Sequence, residues 1–353
     1  MSAKAVVVIG GGAGTDLMLR GLKRYTGRLT ALLSTFDAGH HGLEWTADGV
    51  SRSADGVRSS LLALGADSAT TQIMERLFAY RVPAIEESLS RSFGNLFLSA
   101  LTDITGAADL ALQAAAQVLN VQGRVLPLTL EASPLLAELQ DGREVLVQTP
   151  DELVAAVGET GLRAVRLPAP MPVLGTALEV IANADIIVLG PADLFFNVLA
   201  PLQLAGLREA IADSTAVKIF ICNLMTQPKT TDDWPASRFI RRALEYLGGP
   251  GSLDYAIVSS SPLDPIALEQ AAAVGAFPVR LDLDECLSLG LNIIARPVTA
   301  PDSLRHDSEK LARTILFLGG ERVHRRIERP TMPVAALDGV LPARAWSTSG
   351  AES

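Results

Sequence analysis

The sequence predicts an α/β protein built on a doubly wound, mostly parallel sheet with helices on both faces. Three observations carry that expectation. Predominantly apolar segments too short to be helices recur at Ala5 to Gly10, Leu29 to Leu33, Ile186 to Leu189, Val217 to Ile221, Tyr255 to Val258 and Asn292 to Ala295, and these read as strands buried on both faces. Between several of them lie stretches of helical period: Asp16 to Tyr25, Thr176 to Asn183, Gly206 to Ile211, Ser237 to Leu247 and Pro265 to Val274. Strand, helix and strand at this spacing imply right-handed crossovers and parallel pairing.

Taken in order, the first strand and helix are followed by the second strand, and then the pattern changes. From Ser51 to Arg91 the chain reads as largely helical, with apolar faces at Ser59 to Leu64 and Thr70 to Ala79, and forms a cap over the sheet edge. An Ala/Leu-rich segment, Gly106 to Asn120, reads as a buried helix. Arg124 to Thr129 and Leu135 to Val147 read as strands of a small antiparallel excursion. Within the second, Gln140-Asp141-Gly142-Arg143 carries an Asp-Gly hairpin signature, which predicts positive φ at both central residues. Beyond Arg329 the composition turns to Pro, Ala, Ser and Gly, as expected of a flexible tail over 330–353.

At 353 residues and 48% hydrophobic, the chain has ample apolar surface for a core and is globular. Length alone fits two domains of about 150 residues or one large domain with a cap. The cap reading favours one domain over 1–329, with insertions at about 51–92 and 121–167. Thirty Lys plus Arg against 39 Asp plus Glu leaves a net charge of -9, which disfavours general nucleic-acid binding, where cations must neutralise phosphates. Two cysteines, Cys222 and Cys286, are too few for a disulfide framework and read as reduced. No stretch has the ~18 uncharged apolar residues of a membrane span, and the amino-terminal apolar run stops at glycines, so a soluble, cytoplasmic protein is expected.

Four loops carry the chemistry. The first strand runs into Gly10-Gly11-Gly12-Ala13-Gly14 and then a helix. Glycines at such a turn let backbone N–H groups approach an anion, and the positive helix end attracts it, so phosphate is the natural ligand. A tight packing turn is the competing reading. The second strand leads to Asp37, followed by His40 and His41. A carboxylate beyond a parallel strand's carboxyl end suits Mg²⁺ or a ribose hydroxyl, although an Asp in a turn would look the same. The two histidines point to opposite sides of an extended segment, so they suit phosphate or hydroxyl contacts better than a zinc site. The third loop is Gly190-Pro191-Ala192-Asp193. Asp193 with Asp37 would flank a cation or phosphate; otherwise it caps the next helix. The fourth loop presents Asn223, Thr226 and Gln227, donors and acceptors suited to a base or sugar. A hydride-transferring dehydrogenase is disfavoured, because the glycines lack the Gly-x-Gly-x-x-Gly spacing.

These residues resemble the CofD-like superfamily. The resemblance rests on Gly10 to Gly14 with Leu19-Arg20-Gly21-Leu22-Lys23, Arg91-Ser92-Phe93-Gly94-Asn95-Leu96, Ala184 to Pro191, Asn223-Leu224-Met225-Thr226-Gln227-Pro228, and Arg305-His306-Asp307 with Lys310-Leu311. It spans about residues 5 to 318. The superfamily includes 2-phospho-L-lactate transferases and gluconeogenesis-factor (YvcK-type) proteins that bind UDP-sugars, and the last two motifs look closer to the latter. The resemblance implies a Rossmann-like domain that holds a nucleotide or nucleotide-sugar. It adds Arg58 and Asn95 to the ligand-binding set, with Gly190 and Pro191 near phosphate.

Departures from the family cluster in the crevice. Phe36-Asp37-Ala38 keeps one carboxylate where the gluconeogenesis factors have two adjacent aspartates. Gly190-Pro191-Ala192-Asp193 replaces a Gly-Pro-Gly-Ser loop, Arg91 stands for a histidine, and Lys229-Thr230 for Gly-Glu. Two functions follow from the resemblance. One is a Mg²⁺-assisted transferase of a phosphate-linked group, with Asp37 and Asp193 as catalytic and metal-holding residues. The other is a non-catalytic UDP-sugar-binding regulator that acts through a partner protein. Both stay open on sequence alone, as does a homodimer, since apolar helix faces suit either a core or a second copy.

Overall fold

The structure is a computed structural model that describes residues 3–36, 52–66, 69–82 and 91–320. Asp37, His40, His41 and the tail beyond residue 320 lie outside the described residues. In chain order, β1 (Val6–Gly10), α1 (Gly12–Leu22) and β2 (Leu29–Leu33) precede a helical block. That block contains α2 (Arg52–Leu64), α3 (Ala69–Ala79), the short strands β3 (Arg81–Val82) and β4 (Arg91–Ser92), α4 (Phe93–Thr105) and α5 (Ala108–Val118). Next come β5 (Arg124–Pro127), β6 (Leu135–Leu139), β7 (Glu144–Val147), α6 (Pro150–Val157) and β8 (Leu162–Arg166). The remainder alternates: α7 (Gly175–Ala182), β9 (Ile186–Leu189), α8 (Leu207–Asp213), β10 (Val217–Ile221), α9 (Ala236–Leu247), β11 (Tyr255–Ser259), α10 (Pro265–Ala273), α11 (Leu283–Ser288), β12 (Asn292–Arg296) and α12 (Ser308–Gly320).

Seven strands pair in the order β12-β11-β10-β9-β1-β2-β5, all parallel. The chain builds outward from β1 through β2 to β5, then returns to the other side of β1 and builds outward again from β9. Strand order therefore reverses between β1 and β9, and a crevice opens there beyond the carboxyl ends. Both strands are buried along their whole length, because helices cover both faces. Alternation divides their side chains: Val7 and Ile9 enter one core, Val6 and Val8 the other. The doubly wound, parallel α/β architecture expected from the apolar segments is thus the observed one.

The middle of the chain departs from expectation in two places. Arg124–Pro127 pairs parallel with β2 as an outer strand of the main sheet, so the antiparallel excursion is the separate sheet β7-β6-β8. At its hairpin only Gly142 has positive φ, at 87°; Asp141 does not. Gly142 N donates to Leu139 O and Leu139 N to Arg143 O, a turn closed by a left-handed glycine rather than a two-residue loop. Asp141 instead accepts from Arg143 N at 3.0 Å, an interaction that favours an ordinary φ at the aspartate.

Candidate functional site

The crevice at the β1/β9 reversal is a cleft of about 310 Å³. One wall is the turn between β1 and α1. Gly11 leaves β1 in an extended conformation, and its N–H donates to Thr15 Oγ1 at 2.9 Å. That amide is therefore occupied, which corrects the expectation of an entirely bare glycine turn. The next three N–H groups, on Gly12, Ala13 and Gly14, open α1 and lack intrahelical acceptors, and no side chain caps them. Gly12 and Gly14 are half-buried and Ala13 exposed, all three on the cleft.

Close packing explains the glycines around these amides. A Cβ on Gly14 would lie 2.6 Å from Pro191 O, and one on Gly11 2.8 Å from Asn197 Oδ1. Gly12 has open space beside it but φ of +73°, a conformation that side chains disfavour. Gly10 ends β1 beneath the turn, its missing Cβ leaving room for Thr15 Oγ1. Thr15 is the internal tie: besides accepting from Gly11 N, its hydroxyl lies 3.2 Å from Pro191 O.

The second wall follows β9. Gly190, with φ of +72°, donates its N–H to Ile9 O at 2.9 Å and turns the chain into Pro191-Ala192-Asp193. Asp193 starts a π-helical turn, Leu194–Leu199, in which Ala200 N bonds to Phe195 O. The carboxylate accepts from Phe196 N at 2.8 Å and from Gln227 Nε2. Burial pushes its pKa above the usual carboxylate range, against the hydrogen bonds from Phe196, Gln227 and Phe195. Both oxygens of Asp193 thus serve the turn and the neighbouring loop. Among the described residues no group of three or more His, Cys, Asp or Glu side chains comes together as a metal site. This donor set does not fit a magnesium ion, and Asp37, the other carboxylate expected to hold one, lies outside the described residues.

The third wall is the loop after β10. Asn223 Nδ2 donates to Ala192 O at 3.0 Å, binding this loop to the second wall. Gln227 reaches Asp193 and faces the cleft, whereas Thr226 is buried and clamped to Phe277, its Oγ1 accepting from Phe277 N at 2.9 Å. Arg58 and Asn95 are held elsewhere. Arg58 Nη1 donates to Ser92 Oγ at 2.7 Å and to Asn95 Oδ1 at 3.1 Å, while Ser92 caps α4 through Asn95 N. Neither lines the cleft, and Lys229 ion-pairs with Glu159 at the surface.

A fourth wall was not assigned a site role from sequence. After β12 at the sheet edge, the chain doubles back, with Thr299 bridged to His306 and Ala300 N bonded to Arg305 O. This return brings Leu304, Arg305 and His306 against the cleft. His306 is 6% exposed, and burial pushes its pKa down to about 4, opposed by a hydrogen bond to the Cys222 backbone. Asn197, 4% exposed, completes the floor beneath Gly11. Arg305-His306-Asp307 stood out as a motif, but its distance from the other loops along the chain hid its place. Cys222 and Cys286 are both buried and unbridged, and no helix among the described residues is long and apolar enough to cross a membrane.

Known proteins are similar to this chain in sequence and in fold. Residues 6–299 match the family described as 2-phospho-L-lactate transferase CofD. A putative gluconeogenesis factor of Nostoc sp. is 35% identical over 323 residues, covering 89% of this chain and 69% of the relative. The gluconeogenesis factor of Halalkalibacterium halodurans is 33% identical, covering 90% of this chain and 97% of the relative, and that of Bacillus subtilis 30% identical, covering 89% and 97%. A crystal structure of a Bacillus halodurans protein superimposes with a TM-score of 0.80 at 33% identity, covering 89% of this chain and all of the other. A second, of a UPF0052 family member from the same organism, gives 0.79, covering 90% and 99%. With its glycine turn, its β9 loop and its returning Leu304-Arg305-His306 segment on one cleft, the chain belongs to the CofD-like superfamily and, within it, to the gluconeogenesis-factor (YvcK-type) proteins.

Proposed function

We propose that the protein binds a nucleotide-linked diphosphate of the UDP-sugar class, and that it works as a ligand-responsive regulator acting through a partner protein. One observation carries the binding reading: three orphan N–H groups, on Gly12, Ala13 and Gly14, open α1 at the topological switch point and border an open cleft of about 310 Å³. Helix N-termini favour anions through these groups and through the macrodipole. Asn223, Gln227 and the segment 304–306 then face the nucleoside or sugar end. The commitment of both Asp193 oxygens to protein donors supports binding over metal-assisted transfer. The name of the relatives, gluconeogenesis factor, speaks for a factor rather than a transferase.

Ala13→Asp tests it. An acid in the first turn of a helix stabilises it by about 0.3–1 kcal/mol, yet at this position it places a negative charge where the diphosphate would lie. The expected outcome is a variant at least as stable as the parent that no longer binds UDP-glucose in calorimetry. Unchanged affinity would remove phosphate from the glycine turn.

Transfer of a phospholactyl group is the second reading, favoured by the description of the matching family. It requires a phosphate-linked donor, an acceptor hydroxyl and a cation, with Asp37 as the carboxylate on this chain to hold the cation. Product formed from a nucleotide-activated phospholactate and a deazaflavin acceptor only when Mg²⁺ is added, and lost in Asp37→Asn, would favour it over the regulator.

A further inference from the structure

A second open pocket, of about 460 Å³, shares no lining residue with the cleft. Arg238 and Arg241 reach it from α9, and Arg280 from the segment between α10 and α11. Elsewhere on the surface Arg20 holds Glu75, Arg143 holds Asp141 and Arg163 holds Glu138. Among the described residues, the exposed guanidinium groups of Arg238, Arg241 and Arg280 hold no carboxylate, on a chain of net charge -9. The acids that share the pocket form no ion pair with them. Asp282 caps α9, accepting from Ser237 N at 3.0 Å and from Ser237 Oγ, and Glu285 is exposed. With Ala236 N bound to Arg280 O at 2.9 Å, the amino end of α9 is satisfied internally, so the pocket offers side-chain cations rather than helix amides.

One of the three is held in place. Arg238 lies over the Trp234 ring, 4.2 Å from its centroid, and Trp234 is itself buried against Phe195 and Phe239. A guanidinium stacked by its face keeps its N–H edge for an oxyanion, which it can grip with two bonds. Arg242 lies near the same ring at 5.8 Å, and burial together with this second cation pulls the Arg238 pKa below the usual arginine range. Guanidinium groups crowded in this way are stabilised by an anion bound among them. We propose that Arg238, Arg241 and Arg280 form a second binding site, for a multiply charged small anion bearing phosphate or carboxylate groups. Both groups present the paired oxygens that arginine grips, and titration with one probe of each kind separates them. The site stands apart from the nucleotide reading, because none of its residues borders the cleft.

Calorimetry of the full chain with inorganic pyrophosphate and with citrate tests it. At least one probe is expected to bind the parent, and to bind Ala13→Asp equally well, because that variant blocks only the glycine turn. Arg241→Gln combined with Arg280→Gln is expected to weaken that probe about tenfold or more and to leave UDP-glucose binding unchanged. Arg238→Lys keeps the charge without the two-bond grip and is expected to cost affinity as well. Tighter binding of pyrophosphate assigns phosphate, and tighter binding of citrate assigns carboxylate. The Nε–Hε resonances of the three arginines report on the parent protein directly and are expected to shift on saturation with the tighter probe. Failure of both probes to bind Ala13→Asp, or binding that the double variant leaves within about twofold, overturns this site. UDP-glucose binding by the same parent protein would then leave the nucleotide reading standing. A parent that binds a probe at the arginines but no UDP-glucose overturns the nucleotide reading alone.

Discussion

At the residue scale, His306 links the cleft to stability. Its folded pKa of about 4 lies below the 6.5 of an exposed histidine, because burial penalises the charged ring. Between those values the unfolded chain binds the proton and the folded one does not, so stability rises with pH there and falls as pH drops from 6.5 toward 4. Between pH 7 and pH 5 the contribution is ~2 kcal/mol. Asp16 and Asp193 act in the opposite sense. Burial raises their carboxyl pKa values, so folding favours their protonated forms and acidification through those values adds stability. Urea denaturation of the parent and of His306→Gln at both pH values isolates the histidine. The parent is expected to lose ~2 kcal/mol more than the variant on acidification, and equal losses would place the His306 ring in a wetter setting than the structure gives it.

At the element scale, α1 decides the geometry of the site. Its amino end presents the orphan amides, and its far end packs against α12 with almost no clearance: a Cβ on Gly21 would lie 2.1 Å from Ser308 O. Ser308 opens α12 two residues after His306, so this crossing also sets where the fourth wall of the cleft stands. Because the obstacle is backbone, it cannot swing aside as a flexible side chain would. Gly21→Ala is expected to cost about 3 kcal/mol in thermal or urea unfolding and to weaken nucleotide binding as well, since relief requires α12 to move. A variant with parental stability and affinity would show that the two helices slide apart without consequence.

At the scale of the whole molecule, four segments far apart in sequence close on one cleft, and a ligand that spans it ties them together. Hydrogen exchange tests this. Addition of UDP-glucose is expected to slow exchange at residues 11–14, 191–197, 223–227 and 304–306 in concert, while the β7-β6-β8 sheet exchanges as before. With ligand at a hundred times its Kd, the folded state gains about 2.7 kcal/mol. Protection limited to the glycine turn would mean that the other walls do not touch the ligand.

The order and type of the elements were legible in the sequence because the central strands of the main sheet are apolar on both faces, as the runs Val6 to Ile9 and Ile186 to Leu189 show. The glycine turn was legible too, since five residues with four glycines between a strand and a helix permit few conformations. Position across the sheet was not legible. Arg124–Pro127 is four residues long, and nothing in them distinguishes an outer parallel strand from one arm of a hairpin. Arg58 and Asn95 carry a family resemblance, but whether they face the ligand or each other depends on how α2 meets α4. The employment of Asp193 as a cap bound by Gln227, and of Thr15 as the partner of the Gly11 amide, was decided by contacts across separations of 34 and 4 residues. His306 shows the division most plainly. Its sequence neighbourhood determined a motif, but only the return of the chain from the edge strand, driven by pairing of Thr299 with His306 and by packing of α12 on α1, buried the ring and left one nitrogen without a partner. Local composition dictates strands, helices and turns because those depend on near neighbours; burial and an unmet hydrogen bond depend on what the folded chain places alongside.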